Sequence, residues 1–236
     1  MRRPLLVIAH RGASVTRPEN TIEAFQEARR LGADMVELDV RRTADGQLAV
    51  HHDPEIPGSG PLVTLPANAL VTSIPTLDAA LDACLPMRVN IEIKNAPNEP
   101  DWDETRAVAT AVARRIVDGA LHADVLVSSF DMGSIDRVRE VDPTIPTALL
   151  TLTADGAVDA CVRHGHGAVH PFFPLATPEF VADAHAHGVA VNVWTVDGPE
   201  LMLELADAGV DGICTNDPEL ALRTFGRAVP SQGEPG

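Results

Sequence analysis

Short apolar runs alternate with longer amphipathic segments along most of this 236-residue chain. The runs are rich in β-branched residues and have the length of strands buried on both faces, while the intervening segments carry apolar residues at helical spacing. Strands are predicted at residues 5–9, 35–40, 89–93, 125–128, 147–150, 168–170, 189–193 and 212–215, and helices near 19–31, 76–84, 102–119, 131–140, 155–164, 177–187, 198–208 and 217–225. Eight strand-helix units in this length predict an α/β fold, the (β/α)8 TIM barrel.

A further strand-like run, residues 47–52, follows the second predicted strand too closely for a parallel crossover. The connecting residues contain Asp45-Gly46, a strong tight-turn signal, so the two runs are expected to pair as an antiparallel β-hairpin extension after strand 2. That pairing places His52 across from Glu37 or Asp39. Residues 54–75 are rich in proline and glycine and have little periodicity. They predict a short irregular cap over the barrel mouth and not a second domain.

The barrel is predicted to occupy a single domain, residues 1–226, followed by a disordered tail at 227–236 that is rich in proline and glycine. The apolar run at 5–9 is too short for a signal peptide, and no run is long enough to span a membrane. The three cysteines are widely spaced and lack metal-site spacing. These features predict a cytoplasmic protein with reduced thiols, and they predict nothing about its oligomeric state.

The chain carries 34 acidic and 18 basic residues, for a formal net charge of −16. That field repels polyanions, so nucleic-acid binding and stable membrane association are not expected. Lys94 is the only lysine. Because ammonium is a compact point charge and guanidinium a planar fork, a lone lysine in an arginine-rich chain suggests a position that arginine does not serve.

Titratable residues cluster at the carboxyl ends of the first predicted strands, where barrels of this kind carry their working groups. Glu37 and Asp39 alternate with apolar residues on one strand, and Glu92 and Lys94 do so on another. Each pair should therefore point into the barrel. A solvated strand face is the alternative interpretation, but an inward charge is costly unless it is paired or bound to metal. Glu37, Asp39 and Glu92 thus predict a site for one hard divalent cation, Mg²⁺, Ca²⁺ or Mn²⁺.

Arg11 and Lys94 would make a local positive region beside that metal, suited to a phosphate diester whose charge rises in the transition state. His10 and His52 can supply the proton transfers, because imidazole titrates near neutral pH. From the residues alone, this combination predicts metal-assisted phosphoryl transfer or hydrolysis. His170, Phe172 and Trp194 follow later strands and are candidates to line the substrate pocket. A simple core role for Trp194 is the alternative.

Ordered motifs across residues 5–222 resemble the glycerophosphodiester phosphodiesterases, a family of phospholipase-C-like TIM barrels. The early motifs are His10-Arg11-Gly12-Ala13, Pro18-Glu19-Asn20-Thr21, Gly32-Ala33-Asp34, Glu37-Leu38-Asp39-Val40, Thr43-x-Asp45-Gly46 and His52-Asp53. The later ones are Ile74-Pro75-Thr76-Leu77, Ile91-Glu92-Ile93-Lys94, Ser128-Ser129-Phe130, Val193-Trp194-Thr195-Val196 and Gly209-Val210-Asp211-Gly212-Ile213.

The resemblance implies metal-dependent hydrolysis of glycerophosphodiesters to an alcohol and sn-glycerol 3-phosphate, with a place in lipid and glycerol metabolism. It implies that His10 and His52 form the acid-base pair, that Glu37, Asp39 and Glu92 bind the metal, and that Arg11 and Lys94 contact phosphate. It also implies attack by the glycerol 2-hydroxyl to give a cyclic phosphate that water opens. The sequence departs from the family after Asp53, where an Arg-Thr-Thr run and a longer insertion are replaced by the short cap.

Three hypotheses of function are open. The first is the glycerophosphodiester phosphodiesterase. The second is a lysophospholipase D-type or cyclic-phosphate-forming phosphodiesterase on the same site, which a shallower mouth would favour. The third belongs to another class, an inactive barrel that binds a phosphorylated ligand. The presence of two histidines beside the carboxylates argues against this last reading, since a binding protein has no need of them.

Overall fold

The structure, a computed structural model, describes residues 4–230. Its strands in this range are β1 (Leu6–His10), β2 (Met35–Arg42), β3 (Leu48–Val50), β4 (Glu55–Ile56), β5 (Gly60–Pro61), β6 (Arg88–Ile93), β7 (Val125–Ser129), β8 (Thr147–Thr151), β9 (Ala168–Pro171), β10 (Ala190–Val193) and β11 (Gly212–Thr215). Eight of these, β1, β2 and β6 to β11, pair in parallel around a ring that β1 closes onto β2. The predicted (β/α)8 barrel is confirmed.

Eight helices surround the barrel within the described range: α1 (Ile22–Leu31), α2 (Leu77–Cys84), α3 (Ala107–Asp118), α4 (Met132–Val141), α5 (Ala157–His164), α6 (Pro178–Ala186), α7 (Pro199–Ala208) and α8 (Pro218–Thr224). The start of α3 differs most from its prediction, five residues later than residue 102. Asp103 explains the difference, because its carboxylate accepts hydrogen bonds from the amides of Thr105 and Ala107. The chain therefore turns before the helix begins.

The predicted hairpin is present, with β3 antiparallel to the end of β2 and Val50 opposite Val40. Continuing this register places His52 opposite Leu38, between Glu37 and Asp39, and the His51 amide donates to the Asp39 carbonyl at 3.0 Å. The turn thus carries a histidine back to the two carboxylates, as the Asp45-Gly46 signal indicated.

Residues 54–75 form the irregular segment that the sequence indicated, with the short β4–β5 pair and two 3-10 turns at Leu62–Thr64 and Ala67–Ala69. Ile56 and Leu62 pack on Ala49 of β3. The segment therefore lies against the hairpin, and among the described residues none from 54–75 lines the cleft of the barrel mouth. The apolar residues of the segment are buried against β3, which explains why the segment contributes no side chain to the cleft lining.

The barrel carries two apolar layers. Outward-facing residues such as Val36, Leu38 and Val40 pack under the helices in the main core. Inside the barrel, Ile8, Met35 and Cys214 form a small apolar floor. The polar site described below stands on that floor, at the carboxyl ends of the strands.

Residues 227–230, assigned by the sequence to a disordered tail, contact the first strand-helix unit instead. Arg227 pairs with Asp34 and donates to the Gly32 carbonyl at 3.1 Å, and Val229 packs on the core. The remainder of the tail prediction falls on residues 231–236, outside the described residues. No helix in residues 4–230 combines the length and apolarity needed to cross a membrane.

Candidate active site

Strand register brings the predicted site residues to one end of the barrel. His10 of β1 is the register partner of Glu37 on β2, and Asp39 is the partner of Glu92 on β6. Because side chains alternate between the two faces of a strand, Glu37 and Asp39 both point inward. Lys94 directly follows β6 and its amide donates to the Val40 carbonyl at 3.2 Å.

These side chains form the wall of a cleft of about 550 Å³ at the carboxyl ends of the strands. The cleft has a charged side and an apolar side. It is lined by Ile8, His10, Arg11, Glu37, His52, Asn90, Glu92, Lys94, Phe130, Leu150, His170, Asn192, Trp194 and Cys214. Asp39 lies behind this lining, fully buried, and contacts two of its members.

Three carboxylates meet at the charged side. Glu37, Asp39 and Glu92 are all buried, and each offers an oxygen that lies within 4.8 Å of an oxygen of the others. Glu37 Oε2 accepts a hydrogen bond from the Arg11 amide at 3.0 Å. Its other oxygen, Oε1, is buried and has no hydrogen-bond partner among the described residues.

The carboxylates differ in how readily they ionise. Burial raises the pKa of Glu37 well above its usual value, and the negative charges of Asp39 and Glu92 raise it further. Burial also raises the pKa of Glu92. Asp39 shows the opposite result, because Lys94 and Arg11 outweigh the effect of its burial and hold its pKa below the usual range. Asp39 is therefore the most readily ionised of the three, while Glu37 and Glu92 favour the charged form less until a further positive charge is placed beside them.

This cluster fits a divalent cation. The donor set consists of oxygens only, which hard cations prefer. A buried carboxylate oxygen without a partner is costly unless something not included in the protein chain satisfies it, and Glu37 Oε1 is such an atom. Glu37, Asp39 and Glu92 are thus the residues that would hold the metal.

Arg11 and Lys94 supply the positive charge of the cleft. Lys94 Nζ lies 2.9 Å from Asp39 Oδ1 and 2.5 Å from Glu92 Oε1. Arg11 Nε lies 3.2 Å from Asp39 Oδ2, and its Nη1 lies 3.0 Å from Glu19. Both cations are mostly buried, so they remain in place at the cleft wall and can face an anion there.

The turn after β1 depends on Gly12. Arg11 has a φ of 57° and Gly12 one of 88°, and this left-handed turn aims the Arg11 amide at Glu37. A Cβ on Gly12 would approach the Cβ of Ala24 to 2.6 Å. Only glycine suits both the backbone angle and the close packing of this turn on α1.

A chain of hydrogen bonds fixes the orientation of His10. Asn216 donates from its side-chain amide to Asp197 Oδ2 at 2.7 Å, so its Oδ1 faces His10 Nδ1, also at 2.7 Å. The Asn216 oxygen therefore accepts the Nδ1 proton. The unprotonated Nε2 therefore points toward the carboxylates and lies 3.9 Å from Glu37 Oε2.

His52 is held in a comparable way. Its Nδ1 donates to Asp53 Oδ1 at 2.7 Å, and its backbone carbonyl accepts from Arg41 Nε at 2.8 Å. Arg41 is itself buried, with Nη1 3.0 Å from Glu99 and 2.6 Å from Asp101. Burial lowers the pKa of both site histidines, with Arg11 contributing at His10 and Lys94 at His52. Both imidazoles are therefore neutral and available as bases near pH 7.

The apolar side of the cleft consists of aromatic residues. Trp194 lies edge-on to Phe130 at 5.5 Å between ring centroids, and its indole donates to the His170 carbonyl at 2.8 Å. His170 and Trp194 line the cleft as expected, but Phe172 does not. Phe172 is half-exposed and packs on the outer side of Trp194 at 5.6 Å, because Pro171 ends the strand before it.

Several residues of the site were not identified from the sequence. Asn20 donates to Asp39 Oδ2 at 2.7 Å, and Asn216 and Asp197 orient His10. Phe130 lines the apolar side. Asn20 and Phe130 stand inside motifs that carry the family resemblance, which is the one signal that could have found them. Nothing in the local pattern distinguishes Arg41 from a surface arginine.

His170 gives a testable pH dependence of stability. It is buried, and burial lowers its pKa from 6.5 to about 4, so the unfolded chain binds its proton more readily than the folded one. Its contribution to stability is complete above pH 6.5 and is lost as the pH falls toward 4, by roughly 3 kcal/mol. His170→Gln should flatten the fall in unfolding free energy over this window, measured by denaturant titration. If the unfolding free energy of His170→Gln falls as steeply with pH as that of the unaltered chain, His170 is not the source of this pH dependence.

Comparisons with known proteins show which family the chain is similar to. The model of the "Glycerophosphoryl diester phosphodiesterase family" matches residues 10–59 and 55–220. A "Glycerophosphodiester phosphodiesterase" of Caldanaerobacter subterraneus subsp. tengcongensis is 34% identical, over an alignment that covers 92% of this chain and 96% of that one.

Solved structures show the same fold. A crystal structure of a glycerophosphodiester phosphodiesterase from Parabacteroides distasonis has a TM-score of 0.82 and 25% identity, covering 96% of this chain and 98% of that one. A phosphodiesterase from Oleispira antarctica, solved in complex with the product sn-glycerol-3-phosphate, has a TM-score of 0.82 and 22% identity, with coverage of 94% and 96%. At 22% identity, the similarity to the Oleispira antarctica structure supports the fold alone.

Proposed function

Because the chain belongs to the glycerophosphoryl diester phosphodiesterase family, we propose that it hydrolyses glycerophosphodiesters to an alcohol and sn-glycerol 3-phosphate with the help of one divalent cation. The observation that carries the proposal is the meeting of three buried carboxylates, two cations and two neutral histidines in one cleft. That combination serves phosphate chemistry, and it stands where barrels of this fold carry their active sites.

Charge balance supports a requirement for the cation. Glu37, Asp39 and Glu92 contribute three negative charges when ionised, and Arg11 and Lys94 contribute two positive ones. With all three ionised and no metal bound, the wall would be net negative toward a phosphodiester, whereas one bound divalent ion would make it net positive and would favour the ionised form of the two carboxyls whose pKa values are raised. When bound, Mg²⁺, Ca²⁺ or Mn²⁺ supplies Lewis-acid stabilisation of the charge that develops on phosphate oxygens.

Arg11 and Lys94 hold and orient the phosphate. Each is anchored on Asp39 from a different side, at 3.2 and 2.9 Å, so the two positive groups keep a fixed spacing. Fixed charges of this kind need no rearrangement as negative charge grows on the phosphate. Asn20 supports them indirectly, because its 2.7 Å hydrogen bond holds the shared Asp39 carboxylate.

His10 and His52 move the protons. In the first step, the Nε2 of one imidazole accepts the proton of the glycerol 2-hydroxyl as its oxygen bonds to phosphorus. The other imidazole, which has first taken up a proton from solvent, donates that proton to the departing alcohol oxygen, leaving a cyclic phosphate. Water then opens the ring with these two roles reversed, and both histidines return to their starting states. Each Nδ1 is already bound to an acceptor, which keeps Nε2 as the atom that exchanges protons.

Phosphorus-31 NMR of the reaction with glycerophosphocholine tests the proposal. We expect conversion to glycerol 3-phosphate, preceded by a transient cyclic phosphate, and no signal of phosphocholine. Phosphocholine as product would show that the bond on the glycerol side is cleaved instead. Binding of the diester without turnover, in cation-loaded protein, would favour the inactive binding barrel.

The aromatic side of the cleft favours a second substrate class, lysophospholipids, cleaved in the manner of a lysophospholipase D. Phe130 and Phe172 are both over a third exposed, at 44% and 37%, and both contact Trp194. We call these three residues the aromatic rim. An apolar surface open to solvent beside a polar cleft could bind part of an acyl chain.

Phe130→Ser tests the aromatic rim. If the rim binds an acyl chain, kcat/KM for lysophosphatidylcholine should fall about tenfold, as loss of apolar contact costs of order 1–2 kcal/mol. The value for glycerophosphocholine should change much less. Val117→Ser, an exposed apolar position on α3, is the matched control. Equal losses on both substrates, or no turnover of the lysophospholipid by the unaltered protein, would exclude this class.

A further inference from the structure

A second group of metal-ligating side chains lies on the outer wall of the barrel. Asp136 of α4, His164 at the end of α5 and His166 before β9 each offer a ligand atom within 4.8 Å of the others. His164 Nδ1 lies 2.9 Å from Asp136 Oδ2, and His166 Nε2 lies 3.2 Å from Asp136 Oδ1. We call these three residues the outer cluster.

His166 has the burial and the hydrogen bonding that are typical of a metal-ligating histidine. It is only 3% exposed, and its Nδ1 lies 2.9 Å from Thr147 Oγ1 at the start of β8. A hydrogen bond to one ring nitrogen fixes the ring and leaves the other nitrogen to coordinate. That other nitrogen, Nε2, is buried, points at Asp136, and lacks a hydrogen bond of good geometry among the described residues.

We propose that the outer cluster binds a divalent cation of the Zn²⁺ class through His164, His166 and Asp136. Two imidazoles and one carboxylate form a ligand set typical of Zn²⁺, and they suit Co²⁺ and Ni²⁺ as well. The set is poor for Mg²⁺ and Ca²⁺, which prefer oxygen. The outer cluster therefore differs in metal preference from the three carboxylates of the cleft, which offer oxygen only.

The position of the outer cluster separates it from catalysis. His166 precedes the amino end of β9, whereas the cleft residue His170 lies toward the carboxyl end of the same strand. Asp136 and His164 are partly exposed, so an ion can enter from solvent. A bound ion would join α4 to the turn between α5 and β9, two neighbouring units of the barrel. The site is thus expected to affect stability and leave turnover unchanged.

Arg139 lies near the outer cluster, and its positive charge disfavours cation binding there. The positive charge of Arg139 acts on His166, and its guanidinium lies beside Gly165, between the two histidines in sequence. The negative charge of Asp136 offsets it. Arg139→Gln should therefore tighten binding of the cation to the outer cluster.

Zn²⁺ binding by the full chain tests the proposal, with excess Mg²⁺ present to occupy the cleft carboxylates. Isothermal titration calorimetry should detect one equivalent of bound Zn²⁺. His164→Ala should lower the affinity for this Zn²⁺ by about 100-fold, since losing even a supporting partner of a ligand lowers metal affinity 10- to 100-fold. His185→Ala is the matched control, because His185 also pairs with a carboxylate, Asp211 at 2.8 Å, but belongs to no three-ligand group among the described residues. The His185→Ala variant should bind Zn²⁺ with the affinity of the unaltered chain.

Co²⁺ absorbance provides the second measurement. Ligation by the outer cluster should give visible d–d bands that are lost in both His164→Ala and Asp136→Asn, two variants at partly exposed positions. Zn²⁺ should also raise the Tm of the unaltered chain and fail to raise that of either variant. Unchanged Zn²⁺ stoichiometry in both variants, or equal losses in His185→Ala, would overturn the proposal.

Discussion

His52→Ala is expected to lower kcat by about 10²- to 10⁴-fold, the usual contribution of a group that transfers a proton in the transition state. The substitution removes the imidazole that faces the cleft, while the Arg41 contact to the backbone carbonyl of residue 52 remains. The hairpin should therefore keep its place, and cation affinity should stay close to that of the unaltered chain.

His51→Ala is the matched control for this variant. His51 is the neighbouring histidine on the same hairpin, and its Nδ1 contacts the Asp53 carbonyl at 2.8 Å, outside the cleft lining. Its loss should change kcat by less than about threefold, since it takes part in no proton transfer. Normal turnover by His52→Ala would remove His52 from the mechanism, and equal losses in both variants would point to a distorted hairpin.

Glu37→Gln should weaken the apparent affinity for Mg²⁺ or Mn²⁺ by about 100-fold or more, because a carboxylate ligand is replaced by a neutral amide. Turnover should fall at low cation concentration and recover in part when the cation is raised. A chelator should abolish the activity of the unaltered chain, and returned Mg²⁺ should restore it.

Glu19→Gln controls for a general loss of negative charge near the cleft. Glu19 is half-exposed and pairs with Arg11 at 3.0 Å, yet it is not one of the three clustered carboxylates. Its substitution should leave the apparent cation affinity within about threefold, as expected for an exposed ion pair. Full activity in chelator would show that the carboxylate cluster of the cleft is not a metal site.

Much of the site could be predicted because it lies on strands. Period-two alternation in Glu37-x-Asp39 and Glu92-x-Lys94 already indicates which side chains point inward, and the tight turn at Asp45-Gly46 returns His52 to them. Strand geometry is repetitive, so a few residues of pattern determine where a side chain goes.

The supporting residues could not be predicted on the same grounds. Asn216 and Asp197 reach His10 from loops about 200 residues away in sequence, and no local pattern encodes such a contact. Phe172 follows Pro171 out of its strand, where alternation no longer fixes direction. Arg227 looked like part of a polar tail because its partner, Asp34, is distant in sequence.

In the proposed function, the three carboxylates of the cleft hold the cation on which hydrolysis depends. Anomalous diffraction from crystals of the active protein grown with Mn²⁺ tests it most directly. We expect an anomalous peak among the carboxylate oxygens of Glu37, Asp39 and Glu92, and its loss in Glu37→Gln. A protein that hydrolyses glycerophosphocholine at its full rate in Mn²⁺ while showing no peak at those oxygens would contradict it.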